Sequence, residues 1–134
     1  MERAQLRVIY GDTDQMGVVY YANYLRFFEA ARNEFLRAKG LRYADLESRE
    51  GLALPVTEAA VQYRRPARYD DLVVVEIALA ELGGASARFA YRILRDGELL
   101  ATGHTVHACL GVDGRVRRIP RDVRARLAAG EQPA

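Results

Sequence analysis

Among its 134 residues the chain has one cysteine, one lysine, two histidines and no tryptophan, and each scarcity excludes something. Cys109 alone can form no intrachain disulfide and anchors no cysteine-based zinc site. It lies in the apolar-rich run Val106–Val112, where a buried and inert thiol is expected. His104 and His107 stand three residues apart in a predicted strand. That spacing sends them to opposite faces, so they cannot share a metal ion, and both are read as structural. There is no HxxxH helix, no GxSxG nucleophile elbow, no Walker loop and no GxGxxG. Zinc-hydrolase, serine-hydrolase and nucleotidase readings therefore have no motif to rest on. No apolar run approaches the roughly 20 residues that span a bilayer. Met1–Arg7 is polar, and no apolar segment follows it as in a signal peptide. The expectation is a cytoplasmic protein without membrane insertion.

What the chain does have is ordinary for a globular protein: 50% apolar and 28% charged residues, and a net charge of +2. Its length predicts a single domain, 1–134. Nineteen of the twenty basic residues are arginine, the residue whose planar fork suits phosphate. Six of them fall between Arg115 and Arg126. No aromatic residues interleave them, so they are expected to cover the surface of the last turn and helix and not to bind nucleic acid.

Hydrophobic periodicity predicts a strand over Arg3–Tyr10, then one long helix over Tyr21–Lys39 with Gly40 closing it, then a short helix over Tyr43–Arg49. Four strands follow, over Leu54–Arg64, Leu72–Leu82, Ser86–Arg95 and Leu99–Val112. Pro66, Gly83-Gly84, Asp96-Gly97 and Asp113-Gly114 supply the turns, and Pro120 opens a last helix running to about Ala129. Only the tail Gly130–Ala134 looks loose. A strand, a long helix and a run of strands on short turns imply an α+β domain, an antiparallel sheet with one helix on a face.

The stretch Gly11–Arg32, GDTDQMGVVYYANYLRFFEAAR, carries the chemistry. Asp12 and Asp14 alternate with small residues in a loop, and Gly17 can adopt backbone angles closed to other residues. The first free N–H groups of the long helix lie a few residues further on. A carboxylate beside such a helix end can attack a carbonyl, or activate water against it, while the N–H groups polarise the carbonyl oxygen. The plainer reading makes both aspartates turn residues that accept loop N–H groups, and it suits Asp12 better than Asp14.

DTDQMGVVYYANYLRFFEAAR, with its D-x-D-x-x-G-x-V-x-Y-x-x-Y spacing, resembles the signature of the 4-hydroxybenzoyl-CoA thioesterase family, in its YbgC-like branch. The stretch VQYRRPARYDDLVVVE and the last two strands are similar to the family as well, so the resemblance covers most of the chain. It implies a hot-dog fold, a curved antiparallel sheet wrapped around the long helix, in a homodimer or homotetramer whose active site lies across subunits. It implies an acyl-CoA thioesterase that needs no cofactor, coenzyme A being part of the substrate. Asp14 would be the catalytic carboxylate, as nucleophile or as general base. Tyr21 would supply its backbone N–H to the oxyanion. YbgC-like relatives often carry histidine at that position, and this chain offers no imidazole there. Gly17 would let the substrate approach the main chain. Arg64, Arg65 and Ser86 would contact the nucleotide, although the two arginines also read as a solvated charged turn. Gly83, Gly84 and Ala85 stand where the hydroxybenzoyl-CoA enzymes carry a basic run.

Two rivals share the fold. A hydratase or dehydratase would want a histidine paired with a carboxylate on the central helix, and no histidine precedes His104. A non-catalytic acyl-CoA-binding or scaffold protein would have no use for Asp14.

Overall fold

The structure, a computed structural model, describes residues 1–132. The elements are β1 (Glu2–Arg7), a 3-10 turn (Tyr10–Asp12), α1 (Asn23–Ala38), α2 (Tyr43–Ser48), β2 (Val56–Tyr63), β3 (Leu72–Leu82), β4 (Ser86–Arg95), β5 (Glu98–Ala108) and α3 (Arg121–Ala128). The five strands form one antiparallel sheet in the order β1-β3-β4-β5-β2, with α1 packed on its inner face. This is the expected α+β architecture.

Period-2 alternation decides the inner face. Val73, Val75, Ile77 and Leu79 of β3 and Ala87, Phe89, Tyr91 and Ile93 of β4 are buried, and the residues between them are not. Asp96 and Gly97 both take positive φ, 50° and 78°, in a two-residue type I′ hairpin turn between β4 and β5. From α1, Tyr24, Phe27, Phe28, Ala31, Phe35 and Leu36 face the sheet. The Phe28 ring stacks on Tyr91 at 4.1 Å and Phe35 meets Phe89 edge-on at 5.3 Å. Each such burial stabilises by roughly 1.5–3 kcal/mol. Gly103 in β5 makes the close approach possible, since a Cβ there would lie 2.5 Å from both the Phe28 ring and the Ala60 carbonyl oxygen. Gly40 ends α1 as expected at φ 74°, with Leu41 N–H donating to Leu36 O at 2.7 Å.

One seam of this core is polar. Arg32 of α1 donates to the Tyr91 hydroxyl at 3.1 Å, which shares a hydrogen bond of 2.6 Å with Thr105 Oγ1. His107 Nε2 bonds the same hydroxyl of Thr105 at 2.9 Å, and His107 Nδ1 bonds Leu54 O at 2.9 Å. His107 points inward and is buried, whereas His104 points outward and meets Glu58 Oε2 at 2.7 Å, so the two histidines occupy opposite faces as predicted. Burial lowers the pKa of His107, against its bond to Leu54, and favours the neutral ring. Cys109 is likewise buried, and burial raises its thiol pKa.

Several boundaries differ from expectation. The first strand stops at Arg7, because the buried Asp12 carboxylate accepts the Ile9 N–H at 2.9 Å and bends Tyr10–Asp12 into a 3-10 turn. The long helix starts at Asn23 and not at Tyr21, and the last strand ends at Ala108 and not at Val112. The tail, expected to be loose, is in part outside the described residues. Within them Glu131 is tied down: its carboxylate accepts the Leu79 N–H at 3.0 Å and pairs with Lys39 at 3.3 Å and with the Met1 amine. Burial works against its charge, but these donors outweigh that and hold its pKa below the usual carboxylate range. Of the six late arginines, Arg117, Arg124 and Arg126 donate to loop carbonyls at Glu50, Gly83, Gly84 and Gly40, a structural use.

Candidate active site

The segment between β1 and α1 folds into a small hairpin. Thr13 bridges Val19, Asp14 N–H donates to Val18 O at 2.9 Å, and Tyr20 N–H donates to Asp12 O at 2.9 Å. Its tip is a turn closed by Gly17 N–H to Asp14 O at 3.0 Å, and Gly17 takes the left-handed φ of 78° that glycine allows. The two aspartates then diverge. Asp12 is buried, accepts from Ile9 and pairs with Arg26, so it is a structural carboxylate. Asp14 is half-exposed. Its side chain accepts only the Met16 N–H, at 2.9 Å, among the described residues, and no cation neutralises it within 4.0 Å.

The hairpin delivers the chain to the start of α1. Among the described residues no side chain caps that end, and Ala22 stands at the cap position already in helical conformation. Asn23 N–H donates to Tyr20 O and Tyr24 N–H to Tyr21 O, whereas the N–H groups of Tyr21 and Ala22 have no acceptor among the described residues. Tyr21 is held from the opposite side, because Tyr63 of β2 donates its hydroxyl to Tyr21 O at 2.9 Å. Desolvation raises the pKa of the Tyr63 phenol, which keeps it protonated and a donor at neutral pH.

Two clefts share the hairpin as a wall. Tyr21, Arg64 and Arg65 line one of about 270 Å³, floored by Val19, Tyr24 and Pro66. Asp14 and Gly17 line the other, of about 500 Å³, with Tyr10 and Tyr69, whose rings meet edge-on at 5.5 Å. Arg64 and Arg65 each donate their N–H to Leu100 O, but their side chains differ: Arg65 pairs with Glu98 at 3.3 Å and Arg64 has no such partner among the described residues. Ser86 is not brought to this group. It opens β4 opposite Ala108, whereas the Arg64 end of β2 lies level with Ile93. Seven residues separate Ser86 from Ile93, about 23 Å along the strand. Sequence reasoning missed Tyr63 and Asn23, which brace this site. Asn23 donates from Nδ2 to Asp12 O at 2.9 Å, and only its place at the helix start hints at that role.

The profile of the thioesterase-like superfamily matches residues 8–127, nearly the whole chain and all of this site. The chain belongs to that superfamily. As a member it has the hot-dog thioesterase fold and is an enzyme of the thioester hydrolase class. An acyl-CoA thioesterase, YbgC, of Haemophilus influenzae is 38% identical over 122 residues, covering 90% of this chain and 89% of the relative. A 1,4-dihydroxy-2-naphthoyl-CoA hydrolase of Synechococcus elongatus is 34% identical over 83% of each chain. In three dimensions the chain is similar to the crystal structure of a hypothetical protein, TT1821, of Thermus thermophilus. The TM-score is 0.93 at 41% identity, covering 96% of this chain and 98% of that one. Among the described residues, no helix of this thioesterase-superfamily chain is long and apolar enough to cross a membrane.

Proposed function

We propose that the chain hydrolyses acyl-CoA thioesters to free acid and CoA, with Asp14 as the reacting carboxylate and the free N–H at Tyr21 as oxyanion donor. The observation that carries this reading is the pairing of an un-neutralised carboxylate with an uncapped helix start across one small hairpin. Helix N–H groups without acceptors favour the negative oxygen of a tetrahedral intermediate more than the neutral carbonyl, which is what lowers a barrier. Asp14 either attacks the carbonyl carbon, forming an anhydride that water then opens, or takes a proton from the attacking water. In both routes CoA leaves as thiolate, and the step calls for no metal or cofactor. Gly17 leaves the main chain open at the turn, and Arg64, with Arg65 beside it, supplies cations for the CoA phosphates. Ser86 reaches those phosphates only from another subunit.

The assembly proposed is a homodimer or a homotetramer. β2 is an open sheet edge with seven of its eight residues exposed, Val56 and Tyr63 among them, and an unpaired edge of this kind invites a second copy. A cytoplasmic location goes with this reading. A panel of acyl-CoA esters monitored for free thiol, with light scattering on the same sample, tests it. Thiol release by a dimer or tetramer is the expected result. Tight acyl-CoA binding without thiol release would favour the non-catalytic rival, and an active monomer would overturn the shared assembly.

A further inference from the structure

At the other end of β2 lies a cavity of about 390 Å³, between α1, α2 and the segment Leu54–Val56. Arg32, Arg37 and Arg42 line it, with Glu29 as its own acid. Arg37 is already engaged by Glu34 at 2.5 Å. Arg32 and Arg42 have no carboxylate within 4.0 Å among the described residues, so the pocket is left net positive. Arg32 is also half-buried, and the polar seam fixes it through partners that are all neutral: the hydroxyl of Tyr91, then Thr105, then His107. A partly buried guanidinium positioned without a counter-ion calls for an anion, and a carboxylate fits its fork.

Sheet topology says where that anion comes from. The arginine pocket and the Tyr21 cleft are both lined by α1 residues and lie toward opposite ends of β2, a strand that runs about 23 Å from Val56 to Tyr63. They do not form one site in a single copy. Antiparallel pairing of two β2 edges in full overlap sets Val56 of one copy against Tyr63 of the other. A two-fold axis normal to the sheet keeps both α1 helices on one side. The Tyr21 cleft of one copy then abuts the arginine pocket of the other.

We propose that the arginine pocket receives a carboxylate at the far end of an acyl group whose thioester lies at the Asp14–Tyr21 hairpin of a second copy. The preferred substrates are thus CoA thioesters of dicarboxylic acids. This deepens the thioesterase reading and rests on it. Steady-state hydrolysis of glutaryl-CoA is to be compared with pentanoyl-CoA, and adipoyl-CoA with hexanoyl-CoA, in the unaltered protein and in Arg42→Gln. Arg42 is exposed and its side chain makes no hydrogen bond among the described residues, so the substitution removes no contact that holds the fold. The expected result is a kcat/KM at least tenfold higher for the diacid thioester of one or both pairs. Arg42→Gln should pull that ratio to within about threefold of unity, chiefly by loss on the diacid. Equal rates in both pairs, or a ratio that Arg42→Gln does not move, would overturn the proposal. If no ester is hydrolysed the thioesterase reading fails separately, and calorimetric titration with free glutarate then decides the pocket. Binding abolished by Arg42→Gln supports it, and no binding to the unaltered protein ends it.

Discussion

The two ends of β2 solve different problems with similar residues. At its Tyr63 end the polar groups are left open: among the described residues Asp14 has no counter-ion, Arg64 has no acid, and the start of α1 has no side-chain cap. At its Val56 end a chain of hydrogen bonds from Arg32 to Leu54 O closes the core side and fixes the approach to the strand, while on the pocket side Arg32 and Arg42 have no carboxylate partner among the described residues. Asp12 and Asp14 repeat the contrast within three residues, one buried and paired, the other waiting. Groups left unsatisfied mark chemistry, and groups satisfied in the core mark positioning.

The sharpest way to break the contrast is to remove the charge at the open end. Asp14→Asn keeps the shape and the contact with Met16 N–H, and kcat is expected to fall at least a hundredfold, as for a positioned acid–base group. Retention of more than a tenth of the activity by a normally folded variant would remove Asp14 from the reaction. A smaller effect separates the two arginines. Because Arg65 is held by Glu98 and Arg64 has no acid partner among the described residues, Arg64→Ala should raise KM for an acyl-CoA roughly threefold to thirtyfold with kcat nearly unchanged, and Arg65→Ala should do less. A truncated acyl-pantetheine substrate should hardly notice either change. Equal losses on both substrates would mean that the arginines support the fold.

The smallest effect lies at the closed end and is read as stability against pH. The folded pKa of His107 is depressed, so below about 6.5 the unfolded chain binds a proton that the folded chain refuses. Stability is full above that pH and is lost as pH falls toward the folded pKa. His107→Gln should flatten this slope in thermal melts taken between neutral and mildly acidic pH. An unchanged slope would assign the acid sensitivity to other groups.

Much of this was legible in the sequence, wherever one element sufficed. The alternation of β3 and β4, the Asp96-Gly97 turn, the apolar stripe of α1 and the Gly40 stop are all local patterns. What escaped depends on residues far apart in the chain. The polar seam draws on α1, β4, β5 and the segment before β2, and no window of sequence contains it. Glu131 looked like part of a loose tail because Lys39 and the Leu79 N–H, which tie it down, lie 92 and 52 residues away. Gly103 resembled any strand residue until the Phe28 ring was seen against it. The resemblance named Asp14 and Tyr21, and the geometry adds which aspartate is free and which N–H groups lack an acceptor.

The strand order also bears on how the molecule assembles itself. β3, β4 and β5 form a meander joined by short turns, whereas β1 and β2 attach to its margins across long stretches of chain. Closing those long loops costs entropy that the meander does not face, so the meander is expected to form early and the margins late. Among the described strands, β2 is the margin with the most exposed side chains, and its Tyr63 lines the Tyr21 cleft while its Val56 lines the arginine pocket. Its backbone amides should therefore exchange with solvent through local opening well before global unfolding, and a second copy docked there would slow them. The stretch of chain most involved in function would be the last to settle and the first to fray.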